Sequence, residues 1–178
     1  ISTESANYII YILDNKATVN DLTGEGLNII LAGICGWMIA RKGGAGLAAA
    51  ITAAEDGASV IVLEKMSNVG GNTLISGGEM AAPGNWLQEK EGVADDVETF
   101  YNDILKGGDN EGDPALIRVL AENALDGALW LRDDVNVTFE DYMLFFGGHS
   151  VMRSLVPLNA SGVELIQKLN AKAEAAGA

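Results

Sequence analysis

An α/β fold is the architecture this sequence predicts, and three observations predict it. Ser59-Val60-Ile61-Val62-Leu63-Glu64 is a β-branched apolar run, the pattern of a strand buried in a parallel sheet. Before it, Leu47 to Asp56 is Ala-rich and free of Gly and Pro, which favours a helix. Gly43-Gly44-Ala45-Gly46 precedes that helix as a turn, behind an apolar stretch from Leu27 to Ala40 that reads as an earlier buried strand. Together they make one β-α-β unit of about the 30 residues such a unit takes.

The remaining elements follow in order. Residues 1–24 are weakly patterned and take no assignment; Tyr8 to Leu13 has strand character, with turns at Asp14-Asn15-Lys16 and Asp21 to Gly24. Gly57 ends the Ala-rich helix. Residues 67–85 are rich in Gly and Asn without periodicity, which predicts a long functional loop. Val93 to Leu105 reads as a helix opened by Asp95 and Asp96, whose charge suits its positive end. Asp113-Pro114 starts another, with Asp as N-cap and Pro at the first helical position. A short strand is expected within Phe139 to Phe146, and Gly162 to Ala176 repeats its apolar residues at helical spacing.

Composition narrows the function. The chain has 178 residues, 48% of them apolar and 20% charged, the balance of a folded globular protein. The net charge is −14 and the 11 Lys and Arg residues are scattered, which argues against a nucleic-acid partner. A single Cys35 excludes an internal disulfide and a multi-cysteine metal or iron–sulfur cluster within this sequence. The apolar run at 28–40 falls short of the roughly 20 residues that span a bilayer, so no membrane span is expected. Asp95, Asp96, Asp133, Asp134, Glu140 and Asp141 come in adjacent pairs without ligand-like spacing and read as solvated caps; no metal site is expected.

The chemistry lies in two stretches. Glycines at a turn let the backbone approach a pyrophosphate, and the N-terminus of the following helix offers free N–H groups and partial positive charge. Gly43 and Gly46 fit the second and third glycines of G-x-G-x-x-G, whereas Arg41 stands at the first. Glu64 closes the second strand about 20 residues further on, where a carboxylate accepts the ribose hydroxyl bonds of a dinucleotide. The second stretch is Gly147-Gly148-His149-Ser150-Val151-Met152-Arg153, which holds the sole histidine in a sharp turn next to hydroxyl and guanidinium donors.

From Val62-Leu63-Glu64-Lys65-Met66 the chain runs into Gly70-Gly71-Asn72-Thr73 and Ser76-Gly77-Gly78. This run resembles the fumarate reductase/succinate dehydrogenase flavoprotein family, above all its soluble flavocytochrome c-type fumarate reductases and their urocanate-reductase-like relatives. The likeness continues through Lys106-Gly107-Gly108-Asp109, Asp113-Pro114-Ala115-Leu116 and Phe146 to Val151, over about residues 43–178.

The resemblance implies a Rossmann-like FAD-binding domain over residues 25–178, the first part of a larger flavoprotein whose capping domain and returning FAD segment lie elsewhere. It implies FAD as cofactor, held by Gly43, Gly44, Ala45 and Gly46 at the pyrophosphate and by Glu64 at the adenosine ribose, with Lys65 a further cofactor contact. Asn72 and Thr73 would hold the phosphates and the flavin end, with Gly77 and Gly78 beneath the ring and Gly70, Gly71 and Ser76 as further cofactor contacts. Gly78, His149, Ser150 and Arg153 would face a dicarboxylate substrate. The expected reaction is reduction of an activated C=C bond, such as fumarate to succinate, by hydride from flavin N5. The related reactions of urocanate reductases and L-aspartate oxidases, or a non-catalytic FAD-domain fragment, are the alternatives. In the family the catalytic acid is an arginine beyond the segment corresponding to Ala178, so no catalytic residue is named and the piece alone is expected to be inactive. The electron donor is not identifiable, and the compartment is cytoplasmic or exported, with the cytoplasm favoured. Ala81 and Leu155 stand where many relatives carry Asn and His.

Overall fold

A computed structural model of the chain describes residues 37–41, 43–64 and 66–178. The chain divides into two units, one running up to Ile75 and taking in Ile166–Ala178, the other formed by Ser76–Leu165.

The first unit holds the β-α-β unit. Strand β1 is Trp37–Arg41, helix α1 Gly44–Glu55 and strand β2 Ser59–Leu63. The strands are parallel and in register from Trp37 opposite Ser59 to Arg41 opposite Leu63. The expected first strand is longer; of that stretch, residues 27–36 lie outside the described residues, as do residues 1–24. Helix α1 turns Leu47, Ala50, Ile51 and Ala53 inward, and its alanines pack on Val60. Small side chains let helix and sheet approach closely, which is why so short a unit buries its face so fully. Asp56 caps the helix, and Gly57, at φ +86°, reverses the chain where an L side chain is strained. A four-residue helix, α2 (Gly71–Leu74), follows β2. Lys172 reaches back from the C-terminal helix to pair with Glu55 at 2.8 Å.

The second unit is a three-stranded antiparallel sheet with helices packed on it. Its strands are β3 (Met80–Ala81), β4 (Phe139–Leu144) and β5 (Ser154–Pro157), in the order β3-β5-β4. The central strand β5 is buried at all four residues. Leu155 faces Met80 on one side and Met143 on the other, so β5 carries the register of the whole sheet. Helices α3 (Trp86–Glu91), α4 (Val97–Gly107) and α5 (Pro114–Asp133) surround it, and α6 (Gly162–Ala175) begins after a single 3-10 turn at Leu158–Ala160. Along α5, Ala121, Ala124 and Ala128 recur on one face and are buried against Phe100 of α4 and against Leu87, Met143 and Leu155. An Arg118–Glu98 ion pair, with the guanidinium 3.9 Å above the Tyr101 ring, ties α5 to α4 on the outside.

Three differences from the sequence reading have local causes. Helix α4 starts at Val97 rather than Val93, because Asp96 caps it by accepting the Thr99 N–H at 2.7 Å. Residues 67–85 are not one open loop: α2 and β3 interrupt them. Helix α3 carries no long apolar period. It is set by a capping box in which the Asn85 side chain accepts from the Leu87 and Gln88 amides and the Gln88 side chain accepts in return.

Candidate functional site

In the first unit the working groups are backbone. Gly43 is the N-cap of α1 in extended conformation and, lacking a side chain, makes no capping bond to the first helical turn. Gly43 forms a parallel bridge with Gly70, which brings the turn before α1 against the N-terminus of α2. Side chains are what this junction excludes. A Cβ on Gly44 would stand 2.9 Å from Thr73 Oγ1. A Cβ on Gly70, at φ +114°, would stand 2.8 Å from both Ile166 Cγ1 and Leu74 Cβ. Ala45, Gly71 and Asn72 are exposed, Gly46 is buried under the helix, and Thr73 is half-buried against Gly44. Arg41 ends β1 opposite Leu63. A residue paired in a strand has negative φ, so the backbone here does not call for the motif's first glycine.

Glu64 follows β2 directly and is half-buried. Its Oε1 accepts the Met66 N–H at 2.9 Å, so the chain itself orients the carboxylate at the strand end. Lys65 lies outside the described residues.

In the second unit the working groups are side chains. Ser76 Oγ accepts the Gly78 N–H at 3.2 Å, and the Ser76 carbonyl accepts the Gly162 N–H at 2.8 Å. Gly78, at φ +76°, has no room for a Cβ: Pro157 Cγ would stand at 2.9 Å and Gly162 Cα at 3.0 Å. Packing within the protein therefore already requires this glycine. Gly77 would meet only the far end of the Glu79 side chain.

Arg153 is fully buried. Its Nε and one terminal nitrogen donate to the two oxygens of Asp95 at 2.8 and 3.0 Å, and the other terminal nitrogen donates to Asp103 Oδ2 at 2.6 Å. The guanidinium also lies 4.9 Å from the centre of the Phe100 ring. The rest of the network is satisfied in turn. Gln88 Nε2 donates to Asp95 at 2.9 Å and to the Met152 carbonyl at 2.6 Å, while Asn85 Nδ2 donates to the Ala82 and Arg153 carbonyls. Read from sequence, Asp95 is a solvated cap and Arg153 a substrate donor. The fold instead buries the Asp95 side chain completely and commits the guanidinium to two carboxylates.

Ser150 is drawn into the same cluster, since its N–H and its hydroxyl both donate to Asp103 Oδ2 at 2.8 Å. Burial alone would raise the Asp103 pKa; the Ser150 N–H, the Arg153 guanidinium and the Ser150 hydroxyl outweigh it and hold the carboxyl below its ordinary value. His149 stands beside them between two edge-on aromatic rings, 6.3 Å from Phe100 and 6.4 Å from Phe146. Its Nδ1 is buried with no hydrogen-bond partner among the described residues. Burial, then the Arg153 charge, lower the imidazole pKa against the pull of Asp103 and Asp95, which favours the neutral ring at pH 7. A cavity of about 390 Å³ opens here, lined by Asp103, Lys106, Gly107, Gly148, His149 and Ser150. Sequence reasoning found His149 and Ser150 but missed Asn85, Gln88 and Asp103; the Asn85–Gln88 capping spacing was the one signal that could have found part of this network.

Comparison with known proteins gives the family. Residues 42–175 match the model of the FAD binding domain family. The chain is similar to the urocanate reductase of Eggerthella lenta, 47% identical over 137 residues that make up 77% of this chain and 23% of that protein. It is similar to the acrylate reductase flavoprotein subunit of Shewanella woodyi, 42% identical over 133 residues, 74% of this chain and 26% of that one. It is also similar to the NADH:fumarate oxidoreductase of Klebsiella pneumoniae, 37% identical over 150 residues, 81% of this chain and 14% of that protein. Among solved structures, the open conformation of a flavocytochrome c3 fumarate reductase superposes with a TM-score of 0.75 at 31% identity, covering 93% of this chain and 32% of that one. The chain thus spans about a quarter or less of the length of these sequence relatives.

Proposed function

Since this chain belongs to the FAD-binding domain family, whose cofactor is FAD, we propose that it forms the cofactor-holding part of a reductase that saturates an activated C=C bond of a carboxylate, with fumarate to succinate as the first expected reaction. The observation that supports the cofactor half is the bridge of Gly43 to Gly70 at the N-terminus of α1, with an oriented carboxylate at the end of the strand paired to β1. These groups fit FAD in chemistry: peptide N–H donors for a pyrophosphate and an oriented carboxylate for ribose hydroxyls. In this reading Gly43, Gly44, Ala45 and Gly46 receive the pyrophosphate and Glu64 the adenosine ribose. Gly70, Gly71, Asn72 and Thr73 continue along the phosphates, and Ser76, Gly77 and Gly78 serve the flavin end. When bound, FAD supplies the hydride.

The substrate half rests on chemistry that the relatives' names share. Fumarate, urocanate and acrylate are all alkenes conjugated to a carboxylate, though only fumarate is a dicarboxylate. The 47% identity to a urocanate reductase favours urocanate as the second reading. Of the four residues first expected to face substrate, His149 alone has a buried side-chain nitrogen or oxygen without a hydrogen-bond partner among the described residues. It is the one we retain as a substrate contact, with Ser150 and Arg153 holding it.

Two measurements test this. The purified chain should take up FAD, seen as flavin absorbance that co-elutes with protein; a colourless chain that does not quench added flavin would sink the cofactor reading. A whole flavoprotein carrying this segment should oxidise reduced viologen when given fumarate, urocanate or acrylate. Indifference to all three removes the substrate class, and a response to urocanate alone replaces fumarate.

A further inference from the structure

The turn that carries His149 is short and tightly specified. The His149 N–H donates to the Phe146 carbonyl at 3.2 Å, and Gly148 occupies the turn at φ +92°, a conformation that strains any L side chain. Local bonding of that kind closes a turn but does not aim it. What aims it is the far side of α4. Asp103 Oδ2 accepts from the Ser150 N–H, the Ser150 hydroxyl and the Arg153 guanidinium at once. Arg153 is in turn gripped by Asp95, which is held by Gln88. The chain from Ser150 to Arg153 is therefore tied at both ends to one carboxylate oxygen, directly after His149. The same carboxylate lines the cavity together with the imidazole.

We propose that Asp103 is a positioning residue: by gathering Ser150 and Arg153 on one oxygen it sets the place of the His149 imidazole at the wall of the cavity. It acts through Ser150, whose N–H and hydroxyl it holds on Oδ2 beside the Arg153 guanidinium. The consequence for turnover rests on the flavin-reductase reading given above; the placement of His149 does not.

His149 is the only histidine in the chain, so a single imidazole resonance reports on it when the protein is produced without a histidine tag. The charged groups facing that ring are Arg153, Asp103 and Asp95, with Lys106 across the cavity. The test variant is Asp103→Asn, read by NMR titration of His149 in the 178-residue chain. If the turn stays in place, losing the nearby carboxylate removes a group that raises the histidine pKa, and the value falls further. If Asp103 holds the turn, its loss lets the ring into water and the pKa rises toward the ordinary histidine value. A rise, together with Ser150 amide exchange at the unprotected rate in a chain still folded by circular dichroism, is the result expected. A fall or no change overturns the proposal.

Should D103N not fold, the unaltered chain decides. A Ser150 amide that exchanges at least about tenfold slower than a random coil supports the tie, and one at the random-coil rate overturns it. A chain that takes up no FAD would sink the flavin reading and leave both of these measurements standing.

Discussion

At the Gly43–Gly46 turn the groups proposed to meet a pyrophosphate are peptide N–H donors, and the residues matter for what they lack. Around Arg153 the working groups are side chains, and nearly every polar atom has a partner inside the protein. The two regions answer the same physical demand in opposite ways. A site for a large phosphate-bearing ligand must leave donors unpaired and reachable, so it uses a helix end and removes Cβ atoms. A buried guanidinium cannot be left unpaired, because the desolvation of its charge is recovered only by carboxylates and further hydrogen bonds. The glycine-rich region is therefore sensitive to added atoms, and the ionic region to removed ones.

The largest effect should come from breaking the ionic region. Arg153→Met leaves Asp95 and Asp103 buried without their cation, at a cost of about 3–5 kcal/mol. The urea midpoint of the chain should fall accordingly, and combining the change with Asp95→Asn and Asp103→Asn should recover part of the loss. Undiminished stability in Arg153→Met alone would mean that the pair is not buried in solution.

Adding one carbon to the glycine region comes next. Gly70→Ala places a methyl group at φ +114° within 2.8 Å of Ile166 and Leu74. The backbone strain alone costs about 1–3 kcal/mol, with overpacking in addition. Gly71→Ala, at φ +52° with open space around it, should cost only about 1–2 kcal/mol. Thermal unfolding of the pair gives the difference, and equal losses would contradict the close approach of Gly70 to α6.

A smaller effect, on binding alone, separates the regions most cleanly. Glu64→Gln should weaken FAD about tenfold, or about 1.4 kcal/mol, while changing chain stability by no more than about 0.5 kcal/mol. Flavin fluorescence titration measures the first and urea unfolding the second.

The smallest effect is in pH. His149 has its folded pKa lowered by burial and by Arg153, so the unfolded chain takes up the proton first. Its contribution is complete above the unfolded value of about 6.5 and is lost as the pH falls toward the folded value. Asp103, held below its ordinary 3.8, contributes above its unfolded value and loses that contribution as the pH falls through the folded one. Stability should therefore fall in two steps as the solution is acidified, and His149→Gln should erase the upper step only.

By itself the sequence determined the β-α-β unit, the helix begun at Asp113-Pro114, the closing helix from Gly162 and the FAD family. These rest on short-range chemistry: β-branched runs, alanine content, N-caps and glycines at fixed spacing act over a few residues and are written in order along the chain. Glu64 was legible for the same reason, as a strand-end acid at a set distance from a turn. Tertiary structure alone decided what Arg153, Ser150 and Asp95 do. Asp103 stands mid-helix with no motif around it, and its partners lie 47 and 50 residues away. Whether a guanidinium meets substrate or a buried carboxylate depends on which helix packs beside it. That is settled by Ala121 and Ala124 of α5 packing against Phe100 of α4 and by the burial of β5, a consequence of shape and desolvation that no local spacing records.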